Sequence, residues 1–561
     1  GDDDDSSPPC EEDAYAGDNS CTAEGAVLLE GQPVQLLFCE DTEDWVRFNG
    51  CSGRSYSIEV RPLGVDSEPL IELLSPDCGT LLSSSDASSP IVWTPTDDGL
   101  YHVRVHQPGG KTGPETGYEV EVLGNTEPCS TWSRNLSTPR ESIAEDIAPY
   151  WDGGSILGGF LGDQDGGSPM DREGWIARLN SRGEILWDRS YAGSSPSELR
   201  GLVPTTDGGA VAFGRIHGAS PSEGSAWALS VSAAGEPSWS TRYTLGSESR
   251  FVAGTVSPGG VILGGTSVSS SGTPRRGWLL ELDSAGQVLW ERTLEVGDGF
   301  TLVDLAPGPS GGLYLLGTVV DESVGESSLQ LLYLDSNGSP QWDRRIGGSR
   351  SDSAGGIASF PDGRVVVAGT TRSYANHPTG LKSDVWVLLF DTAGNLKWQR
   401  VFGDHVDDDV GVAIDVSGAG EVRVLASTGS FGNLFKSDYW LLAIAAADGG
   451  LLWQRAYRGQ NHDEPRALAL APSGAALLAG GTTSYSVPAG TSEAWVLKLD
   501  AEGTNSCTFL LDTNSQPLDE SVTITTSTVS IAPAASTSSE FALTQTFALA
   551  SPGEQCFEET Q

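Results

Sequence analysis

The sequence predicts an all-β protein with an N-terminal β-sandwich, a seven-bladed β-propeller and a short C-terminal β tail. Three observations predict it: a pair of Trp-marked strands that recurs along the chain, a preceding stretch of short alternating strands, and a Thr/Ser-rich alternating end. A repeat of this length with four strands per copy is typical of propeller blades. We divide the chain into an acidic leader (1–25), a sandwich (26–125), the propeller (130–511) and the tail (512–561).

The repeat is marked by a tryptophan in the last strand of each copy, with a cysteine in the seventh place. These positions are Trp187, Trp239, Trp290, Trp342, Trp398, Trp453 and Cys507. A second mark, tryptophan in all copies but one, stands twelve or thirteen residues earlier at Trp175, Trp227, Trp278, Gln330, Trp386, Trp440 and Trp495. Between the marks lies a turn glycine, as a tight hairpin with positive φ angles requires. The turn glycines are Gly183, Gly235, Gly286, Gly338, Gly394, Gly449 and Gly503.

A further fragment predicts how the ring closes. Residues 131–136 are similar to residues 186–191, and Trp132 precedes Trp187 by one period. The N-terminal segment is therefore expected to supply the outer strand of the seventh blade. Cys129 and Cys507 would then lie beyond the same turn, where a disulfide could lock the ring. The alternative pairs Cys507 with Cys556 and Cys129 with a cysteine of the first domain.

Composition limits the partners and the compartment. Asp and Glu outnumber Lys and Arg by 76 to 32, for a net charge of −44, which argues against nucleic acid or an anionic membrane as a partner held by bulk charge. Solubility in salt explains this acidity more simply than a specific cationic partner does. The eight cysteines form no metal-binding motif, so they predict disulfides in an oxidising compartment.

The segment 26–125 contains short strands with period-two alternation, which is typical of an antiparallel sandwich. Four stretches (43–48, 53–60, 98–105 and 117–122) resemble the bacterial pre-peptidase C-terminal (PPC) domain. The resemblance implies a jelly-roll-like sandwich, attached to secreted proteins, with an adhesive or accessory role.

The blades also resemble a known repeat. Residues 383–403 and 437–440 are similar to the Trp/Asp-Gly propeller repeat of bacterial extracellular proteins (the delta-60 or SBBP-like, PQQ-like type). This resemblance implies a secreted or surface-displayed propeller, and it implies no particular chemistry.

Enzyme motifs of related propellers are missing from the sequence. Quinoprotein dehydrogenases hold their cofactor beside a disulfide of adjacent cysteines, and no two cysteines are adjacent here. The turns lack the Ser and Thr of the sialidase box, as in residues 392–398. The histidines of the propeller, among them His217 and His462, fall in or beside loops without a nucleophile motif, which favours a surface position. We therefore predict no catalytic residues and no enzymatic activity.

One acidic residue stands near the start of each inner hairpin. Equivalent positions of a propeller lie on a ring, so these residues could surround one mouth of the central channel. Carboxylates in such an arrangement suit Ca²⁺, although solvated loop carboxylates are the simpler interpretation. The candidate ligands are Glu141, Glu198, Glu248, Asp298, Asp352, Asp409 and Glu464.

The loops between the inner hairpins and the Trp strands vary most and should all emerge on one face. They contain aromatic and basic residues of the kind found at contact sites. The candidate partner-binding residues are Arg275, Arg276, Tyr374, His377, Phe431, Phe435 and Tyr485.

These observations predict a secreted or cell-surface, non-catalytic binding or assembly protein that contacts protein or glycan. Two alternatives stay open: a subunit or decorating layer of a large extracellular assembly, and an extracellular enzyme acting on glycans or peptides. The acidic start could follow a lipid-bearing cysteine, which would anchor the chain. The tail should add two strands, as a hairpin on the propeller or as an edge offered to a neighbouring chain.

Overall fold

The computed structural model describes most of the chain between residues 28 and 554. The described residues are 28, 33–39, 42–50, 54–75, 78–96, 99–124, 131–138, 140–150, 152–162, 171–205, 207–219, 223–268, 275–296, 299–321, 323–375, 382–404, 406–418, 420–431, 436–471, 473–486 and 491–504, together with the backbone of six short strands between 510 and 554.

The first unit is a sandwich of two four-stranded antiparallel sheets. One sheet has the order β1-β8-β3-β6 and the other β2-β7-β4-β5. Alternate residues point inward, as in β3 and β8, so the predicted period-two pattern produces one apolar core between the sheets. The strands are β1 (Val34–Leu37), β2 (Glu43–Gly50), β3 (Tyr56–Pro62), β4 (Leu70–Leu74), β5 (Leu81–Asp86), β6 (Ile91–Trp93), β7 (Gly99–His106) and β8 (Gly117–Gly124).

Seven four-stranded antiparallel units follow within the described residues, and each is one blade. From the innermost strand outward, the first three blades are β10 (Ser142–Pro149), β11 (Ser155–Leu161), β12 (Glu173–Leu179) and β13 (Ile185–Ala192) in blade 1; β14 (Ser197–Pro204), β15 (Ala210–His217), β16 (Gly224–Val231) and β17 (Pro237–Thr244) in blade 2; and β18 (Glu248–Ser257), β19 (Gly260–Val268), β20 (Arg275–Leu282) and β21 (Val288–Val296) in blade 3. The next three, in the same order, are β22 (Phe300–Pro307), β23 (Leu313–Asp321), β24 (Glu326–Leu334) and β25 (Pro340–Gly347) in blade 4; β26 (Asp352–Ser359), β27 (Val365–Thr371), β28 (Asp384–Phe390) and β29 (Leu396–Phe402) in blade 5; and β30 (Asp409–Val416), β31 (Glu421–Thr428), β32 (Asp438–Ala445) and β33 (Leu451–Tyr457) in blade 6. Blade 7 consists of β34 (Asp463–Leu470), β35 (Ala476–Thr482), β36 (Glu493–Leu499) and β9 (Trp132–Ser137). A 3-10 turn (Pro309–Gly311) precedes β23.

The blades form a closed ring. The first strand of each blade lies against the first strand of the next, and β34 of blade 7 lies against β10 of blade 1. Because β9 precedes blade 1 in the chain yet pairs with β36, the two ends of the propeller are joined in one sheet. The predicted all-β fold and the N-terminal strand closure are confirmed.

Except between blades 3 and 4, each blade is held to the next by the repeated tryptophan of its outer strand. The indole Nε1 donates a hydrogen bond to a carbonyl in the next blade's turn, as from Trp187 to Ala233 at 2.9 Å. The ring also covers the turn glycine, so closely that a Cβ on Gly235 would lie 2.9 Å from Trp187. Four further tryptophans donate in the same way: Trp132 to Ser181, Trp239 to Ser284, Trp342 to Thr392 and Trp398 to Ala446. The outer tryptophan of one copy and the turn glycine of the next are therefore partners in space.

The other tryptophan of each copy is buried between blades. Its Nε1 donates to the residue that follows the outer tryptophan, for example from Trp386 to Gln399 at 2.8 Å. Such bonds satisfy the polar atom of a fully buried indole. In blade 4 the amide of Gln330 takes the same place and donates to Asp343.

The tail forms a fifth strand on six of the blades, and we call these six strands the strap. Each strap strand is antiparallel to the outer strand of a different blade, whereas the sequence had suggested a hairpin or a free edge. The strap strands are β37 (Leu510–Asp512) on blade 6, β38 (Thr523–Thr525) on blade 4, β39 (Val529–Pro533) on blade 3, β40 (Thr537–Glu540) on blade 2, β41 (Thr544–Phe547) on blade 1 and β42 (Ser551–Glu554) on blade 7.

No helix among the described residues has both the length and the apolar character to cross a bilayer. Cys39 and Cys78, both in the sandwich, are disulfide-bonded. Cys129 and Cys507, the predicted lock of the ring, lie outside the described residues.

The tryptophan contact predicts different costs at two equivalent turn glycines. Gly235 (φ 76°) lies under the Trp187 ring, whereas Gly338 (φ 75°) has only the Cγ atom of Arg292 at 4.0 Å. Gly338→Ala should cost about 1 kcal/mol of unfolding free energy, the strain of the left-handed region. Gly235→Ala should cost about 1–3 kcal/mol more, because its methyl group overlaps the indole. Urea unfolding followed by tryptophan fluorescence measures both, and equal costs would contradict the proposed role of the contact.

Candidate functional site

The variable loops do share one face of the propeller. In every blade the first and third strands begin, and the second and fourth strands end, at the same end of the sheet. We call this end the loop face. It carries the candidate partner-binding residues that the structure describes and the starts of all inner strands.

Three of the candidate partner-binding rings pack inward on this face. Tyr374, Phe431 and Tyr485 occupy equivalent loops of blades 5, 6 and 7, where each lies against the buried tryptophan of its own blade, with ring centroids 4.8–5.3 Å apart. The hydroxyl of Tyr485 also donates to the carbonyl of Arg458 at 2.9 Å, and burial raises its pKa. These rings cover the ends of the blades.

The basic candidates lie at the start of β20. Arg275 is exposed, and Arg276 forms an ion pair with Glu295 at 3.0 Å. His377 and Phe435 lie outside the described residues. Contact with a partner through any of these residues stays a prediction.

The predicted acidic ring is spread over three positions of the inner strand. Asp352 and Asp409 occupy the same register position, opposite Thr371 and Thr428. Glu198 and Glu464 come one residue later, and Glu141 and Glu248 one residue earlier, than this position in their blades. Successive strand residues point to opposite faces, so Asp352 and Asp409 point away from the side taken by the other four, and Asp298 lies outside the described residues.

Asp352 and Asp409 form hydrogen bonds with neighbouring residues on the loop face. Asp352 accepts hydrogen bonds from Thr371 at 2.6 Å and Ser373 at 2.7 Å, and Asp409 accepts one from Thr428 at 2.6 Å. Burial raises the pKa of Asp409 to about 7. Within the described part of the chain no three His, Cys, Asp or Glu side chains are placed to hold a metal ion, and the calcium site stays a prediction.

Glu198 is the acidic candidate with a different environment, because it is the centre of a charged network. Its two oxygens accept from Arg172 Nη1 at 2.6 Å and from Arg200 Nη2 at 2.9 Å. Arg200 continues to Glu145 of blade 1 at 3.1 Å. The ring of His217 lies on the same carboxylate, with Nε2 3.6 Å from Glu198 Oε2. The network joins the inner strands of blades 1 and 2 at the channel.

These contacts keep Glu198 ionised. Burial alone would raise the pKa of this carboxyl, but the adjacent imidazole of His217 and the charge of Arg200 hold it well below its usual range. Burial would likewise lower the pKa of Arg200, and the carboxylates of Glu145 and Glu198 raise it instead. A fixed negative charge therefore lies beside the imidazole of His217.

His217 also lines a pocket of about 330 Å³ on the loop face. Glu198 and His217 are 4 % and 7 % exposed, so the histidine is an inner wall of the pocket, contrary to the surface position expected for it. The pocket lies where blades 2 and 3 are joined by a parallel bridge between Gly224 and Glu248. Its lining residues are Ile216, His217, Gly218, Glu223, Gly224, Ser225, Arg242, Thr244 and Ser247.

Sequence reasoning missed the Glu198–His217 pair, although a signal was present. The turn of the inner hairpin sets a register in which Glu198 is opposite Arg215. His217 comes two residues later, on the same face of the sheet as Arg215. Counting the strand register from the hairpin turn, without any motif, could have predicted that the two side chains lie together.

Elsewhere in the channel, three aspartates join blades through the backbone. Asp146, Asp304 and Asp415 lie on inner strands, and each accepts a hydrogen bond from an amide of the next blade at 2.8–3.0 Å. Burial raises their pKa values, to about 7 for Asp146 and to about 6 for Asp304 and Asp415. Above about pH 4 and below these raised pKa values, the three carboxyls hold protons in the folded state that they would release on unfolding.

These pKa values predict a pH dependence of stability. Between about pH 4, near the pKa of an unfolded aspartate, and about pH 7, the folded value for Asp146, the folded state binds more protons, so the unfolding free energy falls as pH rises. The loss is at most about 1.4 kcal/mol per pH unit for each group. Asp146→Asn should make this fall shallower, as measured by urea unfolding at several pH values. An unchanged slope would contradict the assignment.

Comparison with known proteins supports the fold class only. No protein-family model and no curated protein matches the chain. Solved structures of the β-propeller type match the chain. Sqt1 from Chaetomium thermophilum is 13% identical over 65% of this chain and 100% of its own, with a TM-score of 0.38. The NanB sialidase from Streptococcus pneumoniae is 9% identical over 84% and 98%, with a TM-score of 0.34. A gluconolactonase from Xanthomonas campestris is 13% identical over 66% and 98%, with a TM-score of 0.31.

The prediction that the chain is not an enzyme is wrong. It depended on missing motifs alone, whereas most of the similar solved structures are enzymes, including the sialidase, the gluconolactonase and a puromycin hydrolase. Their identities and TM-scores are too low to transfer any one activity to this chain. Its chemistry has to be argued from its own residues.

Proposed function

We propose that the chain is an extracellular hydrolytic enzyme that cleaves an ester or amide bond in a glycan or peptide, with the loop-face pocket as its substrate site. The observation that carries this proposal is His217, which lines the pocket while a buried, ionised carboxylate lies against its ring. A histidine oriented by a carboxylate is a common general base in hydrolysis.

The pocket supplies the parts that such a reaction needs. His217 would take a proton from a bound water as its oxygen attacks the substrate carbonyl, and would then return the proton to the leaving group. Glu198 would hold the ring and balance the positive charge that forms on it. Arg242 and the hydroxyls of Ser225 and Ser247, all lining the pocket, can orient polar groups of the substrate.

The rest of the chain suits an extracellular setting. Eight cysteines and a net charge of −44 favour an oxidising, saline exterior. The sandwich, with its resemblance to the PPC domain, would act as an accessory domain beside the propeller. The blades would belong to the bacterial Trp/Asp-Gly repeat type.

Replacing His217 tests the proposed activity. On a panel of ester and amide substrates derived from glycans and peptides, His217→Gln should lower kcat/KM by about 100-fold or more, the usual contribution of a general base. His462→Gln is the matched control, because His462 is exposed on the loop face and its Nδ1 accepts from Ser437. Its activity should equal that of the wild type.

The Glu198→Gln variant tests whether Glu198 orients the imidazole ring of His217 or binds the substrate. It should lower kcat more than it changes KM, since Glu198 acts through His217 and not on the substrate. A wild type that hydrolyses nothing on the panel, or a fully active His217→Gln variant, would overturn the proposal.

A further inference from the structure

The strap pairs with the ring at a constant interval of seven residues. At one register position of the outer strands, blades 4, 3, 2, 1 and 7 pair with strap residues that are seven apart. Blade 6 pairs fourteen residues before blade 4, which is two steps for two blades. The pairs are Tyr457 with Leu510, Ile346 with Ile524, Leu294 with Ile531, Tyr243 with Ser538, Tyr191 with Gln545, and Leu136 with Pro552.

The twist of the blades explains how one segment can visit six of them. Adjacent strands of a sheet are rotated by about 20–25°, so a fifth strand runs nearly perpendicular to the first. First strands follow the axis of the ring, and fifth strands therefore follow its circumference. All strap strands are antiparallel to the outer strands, so they point the same way around the ring.

The interval of seven residues also matches the spacing of the blades. Sheets that pack about 10 Å apart at their middle strands, with strands about 4.8 Å apart, fan out to about 21 Å at the fifth strand of a seven-membered ring. Seven extended residues span about 23 Å. The strap therefore advances by one blade for each seven residues.

The strap strands share this interval but no sequence. They read LLD, TIT, VSIAP, TSSE, TQTF and SPGE, and one of the paired positions is Pro552, which has no N–H to donate. Pairing of this kind uses the backbone. No residue type is common to the six paired positions.

We propose that the outer edge of the ring is a docking surface for an extended chain with paired segments every seven residues, and that the strap occupies it as this chain's own partner. Recognition depends on the interval and on backbone pairing. The strap thereby covers strand edges that would otherwise pair with other molecules. The proposal is independent of the pocket.

A shortened strap tests the surface blade by blade. A chain ending at residue 542 lacks β41 and β42, which cover β13 of blade 1 and β9 of blade 7. Hydrogen exchange of the outer amides in these two strands should become roughly tenfold faster or more. Exchange in β17 and β21, still covered by β40 and β39, should not change, and this shows that the ring remains folded. The full-length Cys556→Ser variant is the matched control, because the shortened chain also loses that cysteine.

A second variant separates interval from sequence. Residues 544–547 and 551–554 are each permuted, with chain length kept. Exchange in β13 and β9 should stay slow, because the interval and the backbone are unchanged. Fast exchange in the permuted chain would overturn recognition by interval, and slow exchange at β13 and β9 in the shortened chain would overturn the docking surface.

Discussion

The contact of an indole with a glycine turn is the interaction on which the ring depends. A blade alone has an apolar face on each side, and stacking on a neighbour buries it. The outer tryptophan sets the distance and angle of that stacking, since it packs on the glycine of the next blade and donates to a carbonyl of the same turn. Trp132 makes this contact with Gly183 and Ser181, so the contact that joins neighbours also closes the circle.

Closure of the ring places the first strand of each blade around a channel, where buried polar groups have to hydrogen-bond or form ion pairs with one another. Asp146, Asp304 and Asp415 bind amides of the next blade, and Glu145, Arg200 and Glu198 form a charged chain across two blades. Buried groups of this kind are hydrogen-bonded or paired because isolation is costly. His217 ends this chain at the wall of the pocket, so the scaffold that stabilises the channel also orients the proposed base.

The outer surface of the ring has the opposite problem, because it presents unpaired strand edges. The strap covers six of them with backbone pairs. Twist within each blade turns the fifth strand along the circumference, which allows a single segment to continue from blade to blade. Inner and outer rims are thus completed by different means: side-chain charges at the channel, and backbone hydrogen bonds at the edge.

The amino-acid sequence by itself determined the all-β class, the blades and the strand that closes the ring. Those features come from local signals, namely two-residue alternation, turn glycines and tryptophans at one spacing, and each signal recurs often enough to be read. Only the tertiary structure decided that Glu198 meets His217, that Tyr374, Phe431 and Tyr485 turn inward, and that the tail encircles the blades. These depend on strand register, on contacts between blades and on accumulated twist, which are properties of the closed ring and leave no motif in any single segment.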